Sequence, residues 1–546
     1  MASSAPGVNI TVSASAASPR SVSPTGVWFV AGTANGPSGI AVPITSMSDF
    51  TTYFGAVVNS QLTGRYSIAA SIASGGTAFN ITSNTLYDSL DLFFREGGVQ
   101  AYVSRMVSST ATNVQNAKAT ITSGKITLTA ISGGSWANVP GTLPSSGPVP
   151  GLRLTVSAPV NSVYYASIAL NGTTIANSPG LGNEQDIVNW VNSLPAYQSL
   201  CVATFVSGGT SNISSGVTIS LAAGTDFAPV DADLNLTLSV FTADLGVGQM
   251  SYPGGTSTAN YSMLTAYSQL TNRIAVLDAV DTATASTMTT AVNALATTLG
   301  SVTTLLGAVN QIDASYAGMY APWMKVPGIT QTNPNQVTGL VFQRTVPPSA
   351  LAAAKMAQND QANDCNVPAA GVGPGASFYA TGVTQTYNDT DRASLNNGGV
   401  NVVRLIPNVN QIVIYGSRSC SSDANWVYLN NCRFRMQVIR ELDLIAENFT
   451  FDQIDGRGQI FARLNGALAG QLQTYWIRRS IYGANPSDAF QVNTGTTVNT
   501  PATIAAGQMN AQVGLRMSPF GEFVNVSVTK YATNASLPNY TNNFVL

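Results

Sequence analysis

The chain predicts a multidomain fold of mixed α/β and α+β parts, with an inserted antiparallel β domain and extended terminal arms. Three observations lead there. Apolar strand-like runs alternate with helical stripes both early (25–105) and again later (251–344). Between them lies a long stretch rich in Ser, Thr and Gly with short alternating runs. The chain has 546 residues, more than one core encloses, so about three or four domains are expected.

Residues 1–24 read as an N-terminal arm. Val8, Ile10 and Val12 alternate with polar residues as a half-buried strand does, and Pro6, Pro19 and Pro24 around them are linker-like. Residues 25–105 form the first part of an α/β domain. Val27-Trp-Phe-Val-Ala31 is a central-strand run, Leu86 to Phe94 has helical spacing, and Gly97 to Arg105 returns as a strand. Residues 106–250, with runs such as Lys125 to Ala130 and Leu152 to Val156, form the inserted β domain. The α/β domain resumes over 251–344: a helix at Tyr261 to Leu270, a buried strand at Arg273 to Asp278, an apolar stripe from Met288 to Val309, and a strand from Tyr316.

Residues 345–530 form an α+β C-terminal domain and 531–546 a C-terminal arm. A helix is entered through Pro347 and Pro348, where a missing N–H costs nothing. Phe434, Val438, Leu442 and Ile445 share one helical face, and Phe461, Leu464, Leu468, Leu472 and Trp476 another. Val524, Val526 and Val528 alternate as a last strand. A lone strand at either terminus needs a sheet edge, in its own chain or a neighbour's.

Composition excludes several functions. Only 9% of residues are charged, against about 25% in ordinary globular proteins. With a formal net charge of -2, nucleic acid and anionic membranes are not the expected partners, and the depletion favours a subunit packed among copies of itself. There is no histidine, so no Ser-His-Asp or Cys-His nucleophile exists, and the four cysteines lack metal-ligand spacing. No phosphate loop follows the Gly-rich segment at Gly371 to Gly375. No enzyme activity, cofactor or metal is expected. The opening Met1-Ala-Ser-Ser-Ala-Pro-Gly-Val8 has neither a basic nor an apolar segment, so no export signal and no membrane insertion are expected.

Several segments together resemble the contractile tail sheath proteins of phages and related injection machines. They are the strand and Gly-Pro turn from Val27 to Pro37, Pro43 to Phe50, Gly97 to Arg105, Pro322-Trp323, Pro347-Pro348-Ser349, and the whole stretch from Asn396 to Phe490. Gly133-Gly-Ser-Trp-Ala-Asn138 is similar to a further family element, with Ala137 in place of glycine. The resemblance covers most of the chain outside the insert. It implies a subtilisin-like α/β sheath domain without catalysis, and a C-terminal domain on the inner wall. It also implies hexameric rings stacked around a tail tube, contraction that drives the tube through a host envelope, and contacts with baseplate and tail terminator proteins. The subunit would be made in the host cytoplasm and end in the virion tail.

Three sets of residues are then candidates. Val8, Ile10, Val12, Val524, Val526 and Val528 would form arms lent between subunits. Arg433, Arg435, Arg457, Arg463, Arg478 and Arg479 would face the tube; the competing reading pairs them with Glu441, Asp443, Glu447, Asp452 and Asp455 along helix faces. Cys420 and Cys432 flank a turn, too far apart on one hairpin for a disulfide, which leaves an inter-subunit bond or free buried thiols. The alternative to a sheath is a self-assembling surface-layer or adhesive protein.

Overall fold

The computed structural model of the protein describes residues 23–58, 61–63, 66–68, 81–83, 85–108, 116–120, 125–206, 216–226, 228–281, 283–297, 312–327, 330–331, 339–340, 343–522, 524, 528 and 530. At its centre is an eight-stranded sheet. Its strands are β1 (Val27–Gly32), β2 (Val42–Ile44), β3 (Ala101–Arg105), β4 (Gly248–Ser251), β5 (Ile274–Asp278), β6 (Ala317–Ala321), β7 (Val400–Ile406) and β8 (Gln411–Tyr415), in the order β2-β3-β1-β4-β5-β6-β7-β8. Strands β3, β1, β4, β5, β6 and β7 are parallel; β2 and β8 close the edges antiparallel.

Parallel strands need crossovers, and these cover both faces. On one face α1 (Thr85–Arg95) and α3 (Pro348–Asp360) bury Leu86, Leu90, Phe93, Leu351 and Met356 against Trp28, Val30 and Val276. On the other, α2 (Thr258–Leu270) and the helix Ala285–Thr297 bury Tyr261, Leu264, Met288 and Val292 against Phe29, Ala275 and Met319. The β4–β1 junction depends on Gly248, at φ +154°, where a Cβ would lie 2.1 Å from the Val27 carbonyl oxygen.

The expected strand–helix–strand unit, the βαβ return through β5 and β6, and the proline-entered α3 are present. Two boundaries move. The sheet runs past residue 345, because β7 adds to β6 and β8 completes the edge. The insert also ends earlier than 250: Leu234, Leu238 and Phe241 already pack in the sheet's second core, beside β1.

Within the insert, a four-stranded sheet (Thr173–Asn177, Ala166–Leu170, Leu152–Val156, Val217–Ser220) and a three-stranded one (Cys201–Phe205, Ile126–Gly133, Asn116–Thr120) enclose a separate core with Trp136, Ile168 and Ile187. Its stem is clasped to the body. Arg105 at the end of β3 donates to Asp226 on the returning chain at 2.8 Å and to the Gly36 carbonyl at 2.6 Å, and Asp226 also accepts from the Ser135 amide at 3.2 Å.

The C-terminal unit is a hairpin of two 19-residue helices, α4 (Leu429–Glu447) and α5 (Gln459–Ile477), with the two-stranded sheet Phe490–Asn493 and Gln512–Leu515 against it. The two apolar stripes predicted for it meet here, Phe434 and Val438 packing on Leu472 and Tyr475. The first turns of α4 belong to the body, since Leu429, Cys432 and Met436 lie in its core.

Candidate functional site

Of the features that the sequence marks for assembly, those among the described residues lie on or beside the C-terminal unit. Thr25, two residues after the described chain begins at Ser23, donates its hydroxyl to Asp360 at 2.7 Å, on the rim of a cleft of about 720 Å³ that Asp364, Glu441 and Arg478 also line. Val8, Ile10 and Val12 lie outside the described residues.

At the other terminus the chain is held by Glu522. Its carboxylate accepts from Arg418 at 2.7 and 3.0 Å and from Asn396 at 2.9 Å. Partial burial works to raise the Glu522 carboxyl; the hydrogen bonds from Arg418 and Asn396 outweigh it and hold it below the usual carboxylate range. Val524 and Val528 beyond it are 84% and 89% exposed and belong to no strand, and Val526 lies outside the described residues.

The six candidate arginines divide. Arg433 is 2% exposed and grips Asp360 at 3.2 and 2.5 Å. Arg435 lies between the rings of Tyr316 and Trp426, at 4.2 and 4.3 Å, and donates to Ser315 at 2.9 Å. Both therefore leave the tube-facing set: they sit on the part of α4 that the body encloses. Arg457, Arg463, Arg478 and Arg479 are exposed. Arg478 is tied to Asp364 at 3.0 Å and Arg463 stands 3.7 Å from Asp452. The competing helix-face pairing thus accounts for Arg463, while Glu441 is engaged instead by Gln437, Gln471 and Tyr475.

Cys420 and Cys432 are free and buried, and burial pushes both thiols up to about 12. No hairpin ladder joins them, because Cys432 is already in α4. Both side chains lie inside the protomer, Cys420 2% and Cys432 0% exposed, the arrangement of the free-thiol alternative. Among the described residues no His, Cys, Asp or Glu cluster fits a metal ion, and no helix is long and apolar enough to cross a membrane.

One carboxylate sits where α/β enzymes place chemistry, at the carboxyl end of β5. Asp278 is buried and accepts from the Ser349 amide and hydroxyl, both at 2.7 Å, and from the Gly254 amide at 3.1 Å. Burial pushes its carboxyl up to about 6 against the lowering effect of those bonds. Three donors fix it as the tie between β5 and the start of α3. The acid ending this buried strand is visible in the sequence, but its role is not, because its partner Ser349 lies 71 residues further on.

The chain thus combines a parallel sheet covered on both faces, an antiparallel insert, and a helical hairpin whose first turns pack where the chain enters β5 and β6, and solved structures of contractile sheath assemblies share this fold almost end to end. The anti-feeding prophage baseplate structure is 15% identical, covering 97% of this chain and 100% of that one with a TM-score of 0.53. The helical sheath of the same particle in its contracted state is 17% identical, covering 97% and 99%, with a TM-score of 0.52. The sheath tail protein from Listeria innocua is 14% identical over 88% and 90%, at 0.50. No family model matches the chain, and no curated protein matches it.

Proposed function

We propose that this chain is the sheath subunit of a contractile tail or injection particle, assembling as stacked hexameric rings around an inner tube and contracting to drive that tube through an envelope. The observation that carries the reading is the extent of the fold likeness: it takes in nearly all of this chain and all of the anti-feeding prophage chain, insert and C-terminal unit included. A low-charge composition supports burial among copies. The role is structural, with no cofactor. Its partners are copies of itself, a tube protein, and the baseplate and terminator at the two ends, and its location is the virion tail.

The terminal arms, carrying Val8, Ile10, Val12, Val524, Val526 and Val528, add strands to neighbouring subunits; strand addition satisfies a row of backbone groups while leaving linkers free to bend. Rigid bodies then turn about these links. Rigidity has a visible source in buried ion pairs that join distant segments: Arg344 to Asp88 and Asp91, Lys355 to Glu96, and Arg433 to Asp360. Of the four exposed candidates for tube contact, Arg457, Arg463, Arg478 and Arg479, Arg457 has no ion-pair partner among the described residues and is the first choice. Immunogold labelling with an antibody against the insert tests the assignment. Label along the full length of a contractile tail is expected; label confined to a cell surface contradicts it.

A further inference from the structure

The turn between α4 and α5 carries a residue that makes no sense within one chain. Phe451 is fully exposed, at 103% of the reference surface, and its backbone is left-handed with φ +68°. That conformation suits Gly or Asn; an aromatic side chain there is uncommon. The turn is closed by ordered bonds, Asp452 N–H to the Phe449 carbonyl at 3.2 Å and Thr450 N–H to the Glu447 carbonyl at 3.2 Å, so the ring is held outward. The charged residues nearest in sequence are Glu447, Asp452 and Asp455, followed by Arg457; Asp452 has only a loose, solvent-exposed partner in Arg463 at 3.7 Å, and Asp455 accepts from the Ile460 N–H at 3.4 Å.

The opposite end of the same hairpin carries the converse surface. A cleft of about 670 Å³ opens beyond the last turn of α5, walled by Trp476, Ile477, Ile481 and Tyr482 and flanked by Arg479 and Arg516. Ile477 and Tyr482 are 67% and 56% exposed. Its one acid, Asp488, is turned onto the Asn485 amide and side chain at 3.3 and 3.2 Å. Arg479 and Arg516 have no ion-pair partner among the described residues. Arg479 is held in place, its amide on the Trp476 carbonyl at 2.9 Å and its carbonyl on the Ser518 hydroxyl at 2.8 Å.

We propose that the Phe451 turn of one copy of this chain inserts into the Trp476–Tyr482 cleft of the next, with Asp452 and Asp455 set against Arg479 and Arg516. An apolar ring meets an apolar cleft of about 670 Å³, ample for it, and Asp452 exchanges its exposed Arg463 partner for the arginines at the cleft. A single chain cannot make the contact: knob and cleft are separated by the length of α5, 19 residues, or roughly 28 Å at about 1.5 Å per residue. A knob and cleft on different parts of one molecule make a heterologous contact, which closes rings or propagates helical polymers. The inference deepens the sheath reading and rests on it.

Phe451→Gly separates this role from a merely structural one. Glycine relieves the left-handed strain, so the variant's thermal midpoint stays at or above wild type. Its assembly concentration, read by sedimentation, rises about tenfold or more, as for loss of an interface aromatic anchor. Asp452→Lys with Asp455→Lys breaks assembly, and adding Arg479→Glu with Arg516→Glu restores it. Two further full-length variants, Asp452→Cys and Arg516→Cys, cross-link when mixed and not when kept apart. Cylinders that form normally from Phe451→Gly, or without the 452–516 cross-link, overturn the contact and leave the sheath reading standing. Protein that never polymerises overturns both. Loss of tube binding alone in Phe451→Gly would give the knob to the tube and also overturn the proposal.

Discussion

Replacing Arg433 by methionine removes the cation at the junction of three segments. Asp360, at the end of α3, accepts from Arg433 at 2.5 and 3.2 Å, from the Thr25 hydroxyl at 2.7 Å, and from the Cys365 thiol at 3.4 Å. The two charged side chains are 2% and 1% exposed. Methionine fills most of the volume of the arginine stem, so the loss is electrostatic: a carboxylate left 1% exposed without its counter-charge. Breaking such a pair from one side costs about 3–5 kcal/mol, whereas replacing both partners by apolar or neutral groups is often close to neutral. The prediction is therefore a pair of numbers. Arg433→Met loses about 4 kcal/mol in urea-induced unfolding followed by tryptophan fluorescence, and Arg433→Met with Asp360→Asn recovers at least half of it. A single variant within about 1 kcal/mol of wild type, or a double variant no better than the single, would refute the view that this pair clamps the C-terminal unit to the sheet.

Asp278→Asn tests the buried carboxyl by its pH signature. Its folded value of about 6 lies above the unfolded value of about 3.9, so the folded state holds the proton longer. The group's contribution to stability is full below about pH 4 and is lost as pH rises through 6, by about 3 kcal/mol at the order-of-magnitude level. The asparagine variant should gain on wild type by that amount between pH 4 and 7, and a difference constant with pH would contradict it. Asp226→Ala opens the clasp at the insert's stem: the Ser135 amide, which donates to Asp226, exchanges faster with deuterium, while amides paired between Leu152–Val156 and Ala166–Leu170 keep their protection. Equal loss across both sets would mean that the clasp holds the insert's own fold instead. Deleting residues 1–20 leaves a folded protomer with unchanged circular dichroism that no longer polymerises; normal assembly would remove the N-terminal arm from the mechanism.

Periodicity carried much of the fold. The βαβ units, the proline-entered α3 and the two facing stripes of the hairpin could be read from apolar spacing because each is a local pattern. What could not be read is what local spacing leaves open. Nothing near Arg433 or Arg435 in sequence says that Asp360 and the Tyr316 ring lie against them, so both looked like surface charge. The run around Val427 and Leu429 alternates as a strand does, yet folds as the entry to α4 and takes Cys432 into a helix. The α/β domain seemed to end near 345 because strand order along a chain does not state which strand adds to which edge, and β7 joins the sheet after a long excursion. Phe451 shows the limit most plainly: a left-handed aromatic leaves no mark in the sequence, and its cleft is assembled from segments around residues 476–484 and 516–518.

The central claim is best tested by negative-stain electron microscopy of the purified full-length protein at high concentration. Hollow, striated cylinders of uniform diameter are the predicted result. Flat two-dimensional sheets, as a surface-layer protein would form, or protein that remains monomeric at every concentration, would contradict it.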